Sequence, residues 1–256
     1  MEFCYSSPAI LRHQPIIRDV PGAQTAVLFV HGILGTPDHF TFLMEAIPAD
    51  WSVRNLLLVG HGGGVCDFSR ASMDQWKRQV ASAVDELCQM HERLYIVAHS
   101  MGTLFAIDAA RCHPRRIAGL FLLAAPLRLA PKPRILLNCL KIAFDRVPPD
   151  DLWTNQARAA YGLDADPRLW RYLGWIPRYL ELFAEIRRVR KQLPGLAAPT
   201  LVFPSAHDEL LSQRAAACFD SLPCARVEIL PNSGHYGYPP QDAQHLLSAL
   251  HAFLRA

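Results

Sequence analysis

Long hydrophobic runs are missing from this chain of 256 residues. The longest mostly apolar stretch, residues 117–126, is well short of the ~18 residues that a transmembrane helix needs, so the sequence predicts no membrane span. Residues 1–15 place Glu2 early and lack the positively charged start and apolar segment of a secretory signal. We therefore expect a cytoplasmic protein.

Patterns of metal-binding or paired cysteines are also missing. The seven cysteines are odd in number, scattered along the chain and never spaced as C-x-x-C. This pattern favours reduced thiols, mostly filling the core, over a disulfide framework or a zinc site.

Excess charge is small, with 26 basic and 23 acidic residues and a net charge of +3. With 51% hydrophobic residues, this composition excludes a disordered or collagen-like chain and is typical of one large globular domain. The basic residues are too few in excess, and too poorly interleaved with aromatic ones, to indicate nucleic-acid binding.

Short apolar runs alternate with helical patterns along the chain. The runs are residues 25–30, 94–98, 117–124, 200–203 and 226–230. The helical patterns are residues 73–90, 103–112, 212–221 and about 241–254. Runs that are buried on both faces are typical of parallel strands. The alternation predicts an α/β fold, with a mostly parallel sheet flanked by helices.

Residues 127–198 interrupt this alternation with helix-like pieces, many prolines and three of the five tryptophans. We expect a helical insertion over one end of a core formed by residues 1–126 and 199–256. The insertion carries 13 basic and 7 acidic residues and is therefore the basic part of the chain. Its cluster at 187–191, on an expected helix over 177–192, is either a solvated charged face or a surface that attracts acidic substrates or an anionic membrane.

The pentapeptide at residues 98–102, Ala-His-Ser-Met-Gly, lies where an apolar run ends and a helical pattern begins. A turn tight enough to expose Ser100 strains the serine backbone, and the residues two before and two after it must be small. Ala98 and Gly102 meet that requirement. Ser100 is therefore a candidate nucleophile at a helix N-terminus, which favours developing negative charge, although such a pentapeptide also arises by chance.

A serine nucleophile needs a histidine base that a carboxylate orients. Asp208 follows the run 200–203 and His235 follows the run 226–230. Both are expected in loops at the carboxyl edge of the sheet, where they can converge on Ser100. The chain order Ser, Asp, His fits such a site. Asp208 could instead cap a following helix, and Glu209 is a rival acid.

Two N–H donors are needed to stabilise an oxyanion, and the amide of Met101, next to the candidate nucleophile, is the first. For the second, two segments compete: residues 31–35 (His-Gly-Ile-Leu-Gly), which follow the first strong core strand, and residues 61–64 (His-Gly-Gly-Gly). We favour the backbone N–H of Ile33 and interpret residues 61–64 as a flexible glycine turn.

On the segments 30–35, 98–102 and 233–235, together with Asp208, the chain resembles the α/β-hydrolase superfamily, in its small serine carboxylesterase and monoacylglycerol lipase-like branch. The resemblance runs from about residue 25 to the end and is specific only at these motifs, and Ala98 stands where the family usually has glycine. It implies an α/β-hydrolase fold with a helical cap (lid), and neither a metal nor an organic cofactor.

The resemblance also implies a two-step acyl transfer. Ser100 attacks a carbonyl carbon with His235 as base, Asp208 orients the imidazole, and the amides of Ile33 and Met101 stabilise the oxyanion before water releases the acid. Apolar residues of the insertion either line the expected pocket for an apolar acyl group or attach the cap to the core, and the sequence does not distinguish the two roles. These residues are Leu136, Leu137, Leu140, Ile142, Phe144, Trp153, Trp170 and Trp175.

The leading expectation is a serine esterase acting on short- to medium-chain carboxylic esters or monoacylglycerols. A thioesterase or acyltransferase could use the same triad. Hydrolysis of amides, peptides or carbon–carbon bonds is a smaller possibility, because the same triad serves all these reactions. A non-catalytic binding protein with a hydrolase-like fold is the third alternative, and the presence of Ser100, Asp208 and His235 argues against it.

Overall fold

A mixed sheet runs through the described part of the chain. The computed structural model describes residues 13–255, with every side chain except that of Leu136. Within these residues the strands are β1 (Ile16–Arg18), β2 (Thr25–Val30), β3 (Ser52–Leu56), β4 (Arg93–His99), β5 (Ile117–Leu123), β6 (Thr200–Phe203) and β7 (Ala225–Val227). Their order is β1-β3-β2-β4-β5-β6-β7, with only β1 antiparallel to its neighbour. The predicted mostly parallel sheet is confirmed.

Helices flank this sheet. The α-helices of the described residues are α1 (Val65–Arg70), α2 (Met73–Met90), α3 (Met101–Cys112), α4 (Arg134–Ala143), α5 (Leu152–Ala160), α6 (Ile176–Gln192) and α7 (Pro240–Phe253). Short 3-10 helices lie at Pro37–Ala46, Leu169–Trp175, Leu193–Gly195 and Gln213–Cys218. The prediction of an α-helix over 212–221 is wrong, because the structure has the 3-10 helix Gln213–Cys218 there. The Ser212 hydroxyl accepts the Arg214 amide in a tight turn, and Pro223 restricts the backbone at the other end.

The sequence does not predict β1 and β3, because neither strand is a continuous apolar run. β1 is an edge strand whose Ile17 side chain is exposed. β3 mixes polar and apolar residues, and its Arg54 forms an ion pair with Asp19 at 3.0 Å. Burial on both faces, the pattern used to find parallel strands, is a property of the central strands.

The central strand β4 shows how the core is divided between the two faces of the sheet. Leu94, Ile96 and Ala98 pack into the cluster that includes α2 and α3. Tyr95 and Val97 pack into the other cluster, with α7 and the 3-10 helix Pro37–Ala46. Because burying one large apolar side chain stabilises a fold by roughly 1.5–3 kcal/mol, a strand buried on both faces is a rigid base for the residue that follows it.

Residues 127–198 leave the sheet after β5 and return at β6, which pairs directly with β5. They contain α4, α5, α6 and the 3-10 helix Leu169–Trp175. The Glu181 carboxylate of α6 accepts the Met73 amide at 2.9 Å, and the indole N–H of Trp175 donates to the Val65 carbonyl at 3.0 Å. The inserted segment is thereby attached to α1 and α2. Within residues 13–255, no helix has both the length and the apolar composition needed to cross a membrane.

The cysteines differ from expectation. Cys66 is disulfide-bonded, so the prediction that the cysteines are reduced thiols is wrong at this position. Five other described cysteines are free, but of these only Cys88 is buried, while Cys112 and Cys139 are exposed. A disulfide depends on the distance and direction between two Cβ atoms, which spacing along the sequence does not determine.

Candidate active site

Ser100 occupies a sharp turn between β4, which ends at His99, and α3, which begins at Met101. Its φ of +49° is in the left-handed region, where a serine backbone is strained, as the pentapeptide predicts. Gly102 permits this turn, because a Cβ there would lie 2.2 Å from the Val30 carbonyl oxygen. A small residue two positions after Ser100 is thus required by the close contact between Gly102 and β2.

Ser100, His235 and Asp208 come together at the carboxyl edge of the sheet. The Nε2 atom of His235 lies 3.1 Å from the Ser100 Oγ, and its Nδ1 lies 2.8 Å from the Asp208 Oδ2. All three side chains are buried. An Nδ1–H donated to Asp208 leaves Nε2 as the acceptor for the serine hydroxyl, which is the arrangement a general base requires.

Asp208 is held as a carboxylate. Burial alone would raise its pKa, but the charge and hydrogen bond of His235, with further hydrogen bonds from the Leu210 and Leu211 amides, lower that pKa below its usual value. The two amides donate to Oδ1 at 2.8 Å each, while Oδ2 faces the imidazole. One oxygen therefore caps a local turn and the other contacts His235. The alternative that Asp208 caps the following helix is wrong, because that helix begins at Gln213 and is capped by Ser212.

Three further residues fix the loop that carries His235. The Glu209 carboxylate accepts the His235 amide at 2.9 Å, and His99 Nε2 lies 2.9 Å from the His235 carbonyl oxygen. The Ser233 hydroxyl donates to Asp242, at the start of α7, at 2.6 Å. The sequence indicates Glu209 only as a rival acid and carries no sign of the other two contacts, because they join distant segments.

The contacts of the Gly32 carbonyl fix the peptide that carries the Ile33 amide. The Gly32 carbonyl accepts the His31 Nδ1–H at 2.8 Å and the Gly35 amide at 3.1 Å. Because the C=O and N–H of a trans peptide point in opposite directions, the Ile33 N–H points away from both partners. Among residues 13–255 neither Ile33 nor Met101 donates its amide hydrogen to an acceptor.

Residues 61–64, expected to form a flexible glycine turn, are joined by hydrogen bonds to the loop of Ile33 and to residue 162. His61 is buried and its Nε2 accepts the Leu34 amide at 3.1 Å. The Leu34 carbonyl in turn accepts the Gly162 amide, and the Gly162 carbonyl accepts the Gly62 amide, both at 2.7 Å. Leu34 has a strained φ of +61°, which these contacts hold in place. The glycine turn therefore supports the loop of Ile33.

Buried neutral histidines make stability depend on pH. Burial, followed by the nearby histidines, lowers the pKa of His31 and His99 well below 6.5, and burial lowers the pKa of His39 and His61 to about 4. Between pH 6.5 and about 4 the unfolded chain binds more protons than the folded protein. The free energy of unfolding is therefore fully maintained above pH 6.5 and falls as the pH drops through this window.

We expect the thermal midpoint to fall steeply between pH 6.5 and 4.5. For His61, the gap between 6.5 and about 4 corresponds to on the order of 3 kcal/mol. Thermal melts of wild type and His61→Gln across this range provide the check, since glutamine retains an acceptor for the Leu34 amide but does not titrate. The variant should show the shallower pH dependence, and identical slopes would contradict this account.

A cavity of about 910 Å³ adjoins Ser100 and His235. Its wall is largely apolar and includes α6 residues three or four positions apart, namely Ile176, Tyr179, Leu182, Phe183 and Ile186. Tyr161 and Tyr236 also line it, and burial raises the pKa of both phenols. The cavity is suited to an apolar group held next to the serine hydroxyl.

The expected pocket residues are only partly correct. Ile142 and Trp175 line the cavity. Leu137, Phe144 and Trp170 are exposed instead. Trp153 packs against Gly234 and His207, and Leu140 is half-buried away from the described lining. The side chain of Leu136 lies outside the described residues.

The sheet order, the strained turn and the Ser–His–Asp array together define an α/β hydrolase. A family model described as serine aminopeptidase, S33 (Hydrolase_4) matches residues 21–236, and the chain belongs to this family.

Individual relatives agree with the family assignment. The chain is 28% identical over 230 residues to the pimeloyl-[acyl-carrier protein] methyl ester esterase of Edwardsiella ictaluri, which covers 82% of this chain and 85% of that protein. It also matches a dihydrolipoyllysine acetyltransferase component from Pseudomonas putida, at 30% identity over 101 residues, but spans only 27% of that protein's length (40% of this chain).

Solved structures share the fold. A structure described under LipS and LipT, two metagenome-derived lipolytic enzymes, has a TM-score of 0.71 and 22% identity, covering 94% of this chain and 97% of that chain. The monoacylglycerol lipase of Paleococcus ferrophilus has a TM-score of 0.65 and 17% identity, covering 94% and 98%. The predicted fold class, the resemblance to esterases and monoacylglycerol lipases and the expectation of an enzyme of that type are confirmed.

Proposed function

We propose that this protein hydrolyses carboxylic esters through an acyl-enzyme on Ser100. The observation that carries the proposal is the pair of hydrogen bonds that links Ser100 to His235 at 3.1 Å and His235 to Asp208 at 2.8 Å. A serine hydroxyl becomes an effective nucleophile when such a base removes its proton during attack.

In the proposed first step, the Ser100 Oγ bonds to the substrate carbonyl carbon while His235 Nε2 takes the hydroxyl proton. The resulting oxyanion accepts hydrogen bonds from the amides of Ile33 and Met101, which are available because they have no acceptor within the described residues. The tetrahedral intermediate then collapses, and the C–O bond to the alcohol breaks as His235 protonates that leaving oxygen.

In the second step, a water molecule attacks the ester formed on Ser100, with His235 again acting as base. Collapse of the second tetrahedral intermediate returns the proton to the Ser100 Oγ and releases the carboxylic acid. Asp208 remains ionised throughout and stabilises the imidazolium that forms in each step. The lowered pKa of its carboxyl supports this role.

The substrates proposed are short- to medium-chain acyl esters or monoacylglycerols. The apolar cavity beside Ser100 supports an apolar acyl group, and relatives named as a methyl ester esterase and a monoacylglycerol lipase support ester chemistry. A segment expected to act as a cap, residues 127–198 over the core of 1–126 and 199–256, supplies much of the wall.

Hydrolysis of p-nitrophenyl esters from acetate to dodecanoate tests this proposal, and the rate should peak at one intermediate chain length. Cys139 lines the cavity, so Cys139→Phe should shift the peak toward shorter chains. Cys112 is also an exposed free cysteine but lies outside the described lining, which makes Cys112→Phe the matched control. No turnover of any ester by folded protein would refute the proposal.

A thioesterase or acyltransferase is the second candidate, because the partial match to an acetyltransferase component points to acyl transfer by a related chain. Acyl thioesters of the same chain lengths decide between the two. A larger kcat/KM for the thioester, or transfer to an added alcohol in preference to water, would favour this candidate.

We further propose a cytoplasmic location and weak contact of the basic segment 127–198 with anionic membranes. Five free cysteines support the cytoplasmic location, whereas the disulfide at Cys66 is what an oxidising compartment produces.

Exposed Trp170, Leu173 and Leu180 beside the basic residues support the contact with anionic membranes. Cell fractionation tests the location, and sedimentation with anionic or neutral vesicles tests the contact.

A further inference from the structure

The basic cluster at 187–191 is divided between two sides of α6. The Arg188 guanidinium forms ion pairs with Glu185 and with Asp108 of α3. Arg187 and Arg190, three residues apart and so on one side of the helix, line the cavity that contains Ser100. Neither has a carboxylate partner within residues 13–255. The fold therefore neutralises Arg188, whereas the two cavity-lining arginines have no carboxylate partner among the described residues.

Two more cations line the same cavity from the segment that follows β5. Arg128 and Lys132 have fixed backbones: the Arg128 carbonyl accepts the Ser212 amide at 3.0 Å, and the Lys132 amide donates to the Glu209 carbonyl at 2.9 Å. The Arg190 Nη1 donates to the Leu127 carbonyl at 3.5 Å, which places its guanidinium beside residue 128. In the described part of the chain, no carboxylate pairs with either cation.

The described lining of this cavity carries more positive than negative charge. Its described lining holds four cationic side chains and one carboxylate, Asp164. Asp164 lies on a different segment from the four cations, and its own backbone amide donates to the Gly63 carbonyl at 3.0 Å. Most of the remaining wall is apolar and offers few polar groups to the cations. Several positive charges along one cavity create a positive potential there, which attracts an anion.

We propose that the natural ester carries an anionic group remote from its scissile carbonyl, either a carboxylate or a phosphate, and that Arg187 and Arg190 bind it with help from Arg128 and Lys132. The planar guanidinium suits this task because it donates two parallel hydrogen bonds to two oxygens of one anion. The inference rests on the proposed function, since the anion site and Ser100 share one cavity.

The test compares p-nitrophenyl esters whose acyl chains have equal length and end in a methyl, a carboxylate or a phosphate group. Wild type should favour one of the two anionic esters over the methyl-ended ester by about tenfold or more in kcat/KM, the scale of a charged hydrogen bond. The more efficient of the two identifies the anion. Added salt should reduce this preference, because the four cations are exposed to solvent.

Variants of α6 separate specific binding from general attraction. The double variant Arg187→Gln, Arg190→Gln should lose the preference, because its KM for the anionic ester should rise by more than its KM for the methyl-ended ester. Lys191→Gln is the matched control, because Lys191 is an exposed cation of the same helix outside the described lining. It should retain the preference.

Failure of this inference differs from failure of the proposed function. If wild type hydrolyses the methyl-ended ester as well as both anionic esters, or if the double variant loses activity equally on all three, the anion site is refuted and ester hydrolysis stands. If no ester is hydrolysed, the proposed function fails. In that case, calorimetry measures the binding of monomethyl decanedioate and of methyl decanoate to Ser100→Ala protein and decides whether the anion site exists. Equal binding of the two esters, or no binding of either, refutes the anion site.

Discussion

Replacing Ser100 by alanine should lower kcat/KM for p-nitrophenyl esters by on the order of 10⁴- to 10⁶-fold, the range seen when the nucleophile of a serine hydrolase is removed. Without the Oγ no acyl-enzyme can form, whatever the amides of Ile33 and Met101 contribute to binding the carbonyl group. Steady-state rates give the loss, and a fluorophosphonate probe followed by mass spectrometry should label Ser100 in wild type only.

The loss must come from chemistry and not from misfolding. Alanine retains the Cβ and keeps the turn, so circular dichroism and thermal melts of Ser100→Ala should match those of wild type closely. Ser248→Ala, on an exposed position of α7, is the matched control and should keep full activity. Turnover unchanged in Ser100→Ala would place the nucleophile elsewhere and withdraw the proposed mechanism.

Gly102→Ala should produce the largest loss of stability, seen as insoluble protein or a midpoint lowered by roughly 10 °C or more, as expected for overpacking that costs several kcal/mol. The new Cβ would lie 2.2 Å from the Val30 carbonyl oxygen and 2.8 Å from that of His31. Both are backbone atoms of buried residues, and β2 is paired on both sides, so neither can move aside at low cost.

Gly64→Ala is the matched control for this prediction. Its added Cβ would meet only the Asp67 Oδ2, at 3.7 Å, which is ordinary contact. Differential scanning fluorimetry on soluble protein compares the two variants, and the soluble fraction on expression serves if Gly102→Ala cannot be purified. A Gly102→Ala protein with the midpoint and activity of wild type would refute the packing argument.

Sequence reasoning locates the candidate site where local geometry constrains adjacent residues. Ser100 is recognisable because a strained turn between β4 and α3 needs small neighbours, and Gly102 satisfies a contact with β2. Asp208 and His235 are recognisable because each follows a strand whose end lies at the same edge of the sheet. Each of these features depends on a short segment and its place after a strand, which are both visible in the chain.

What sequence reasoning missed depends on contacts between distant segments. His61 supports Leu34 through a single hydrogen bond, and nothing in the residues 61–64 indicates that partner. The wall of the cavity is similar: Tyr161, Tyr179 and Tyr236 line it, whereas the expected Trp170 is exposed. Amphipathic spacing predicts that a helix has an apolar face, but the packing of 127–198 decides what that face covers.

The hydrogen bonds of Gly162 limit how this protein can be re-engineered. Residue 162 belongs to the inserted segment, yet its amide and carbonyl pair with Leu34 and Gly62, which belong to the surrounding core. A side chain at 162 would also clash with Thr36, whose Cγ2 lies 2.0 Å from the position of a Cβ. Replacing residues 127–198 by the corresponding segment of a related hydrolase would therefore leave the Leu34 carbonyl and the Gly62 amide unpaired unless the new segment brought a glycine to this point, so this segment and the loops it contacts cannot be exchanged independently.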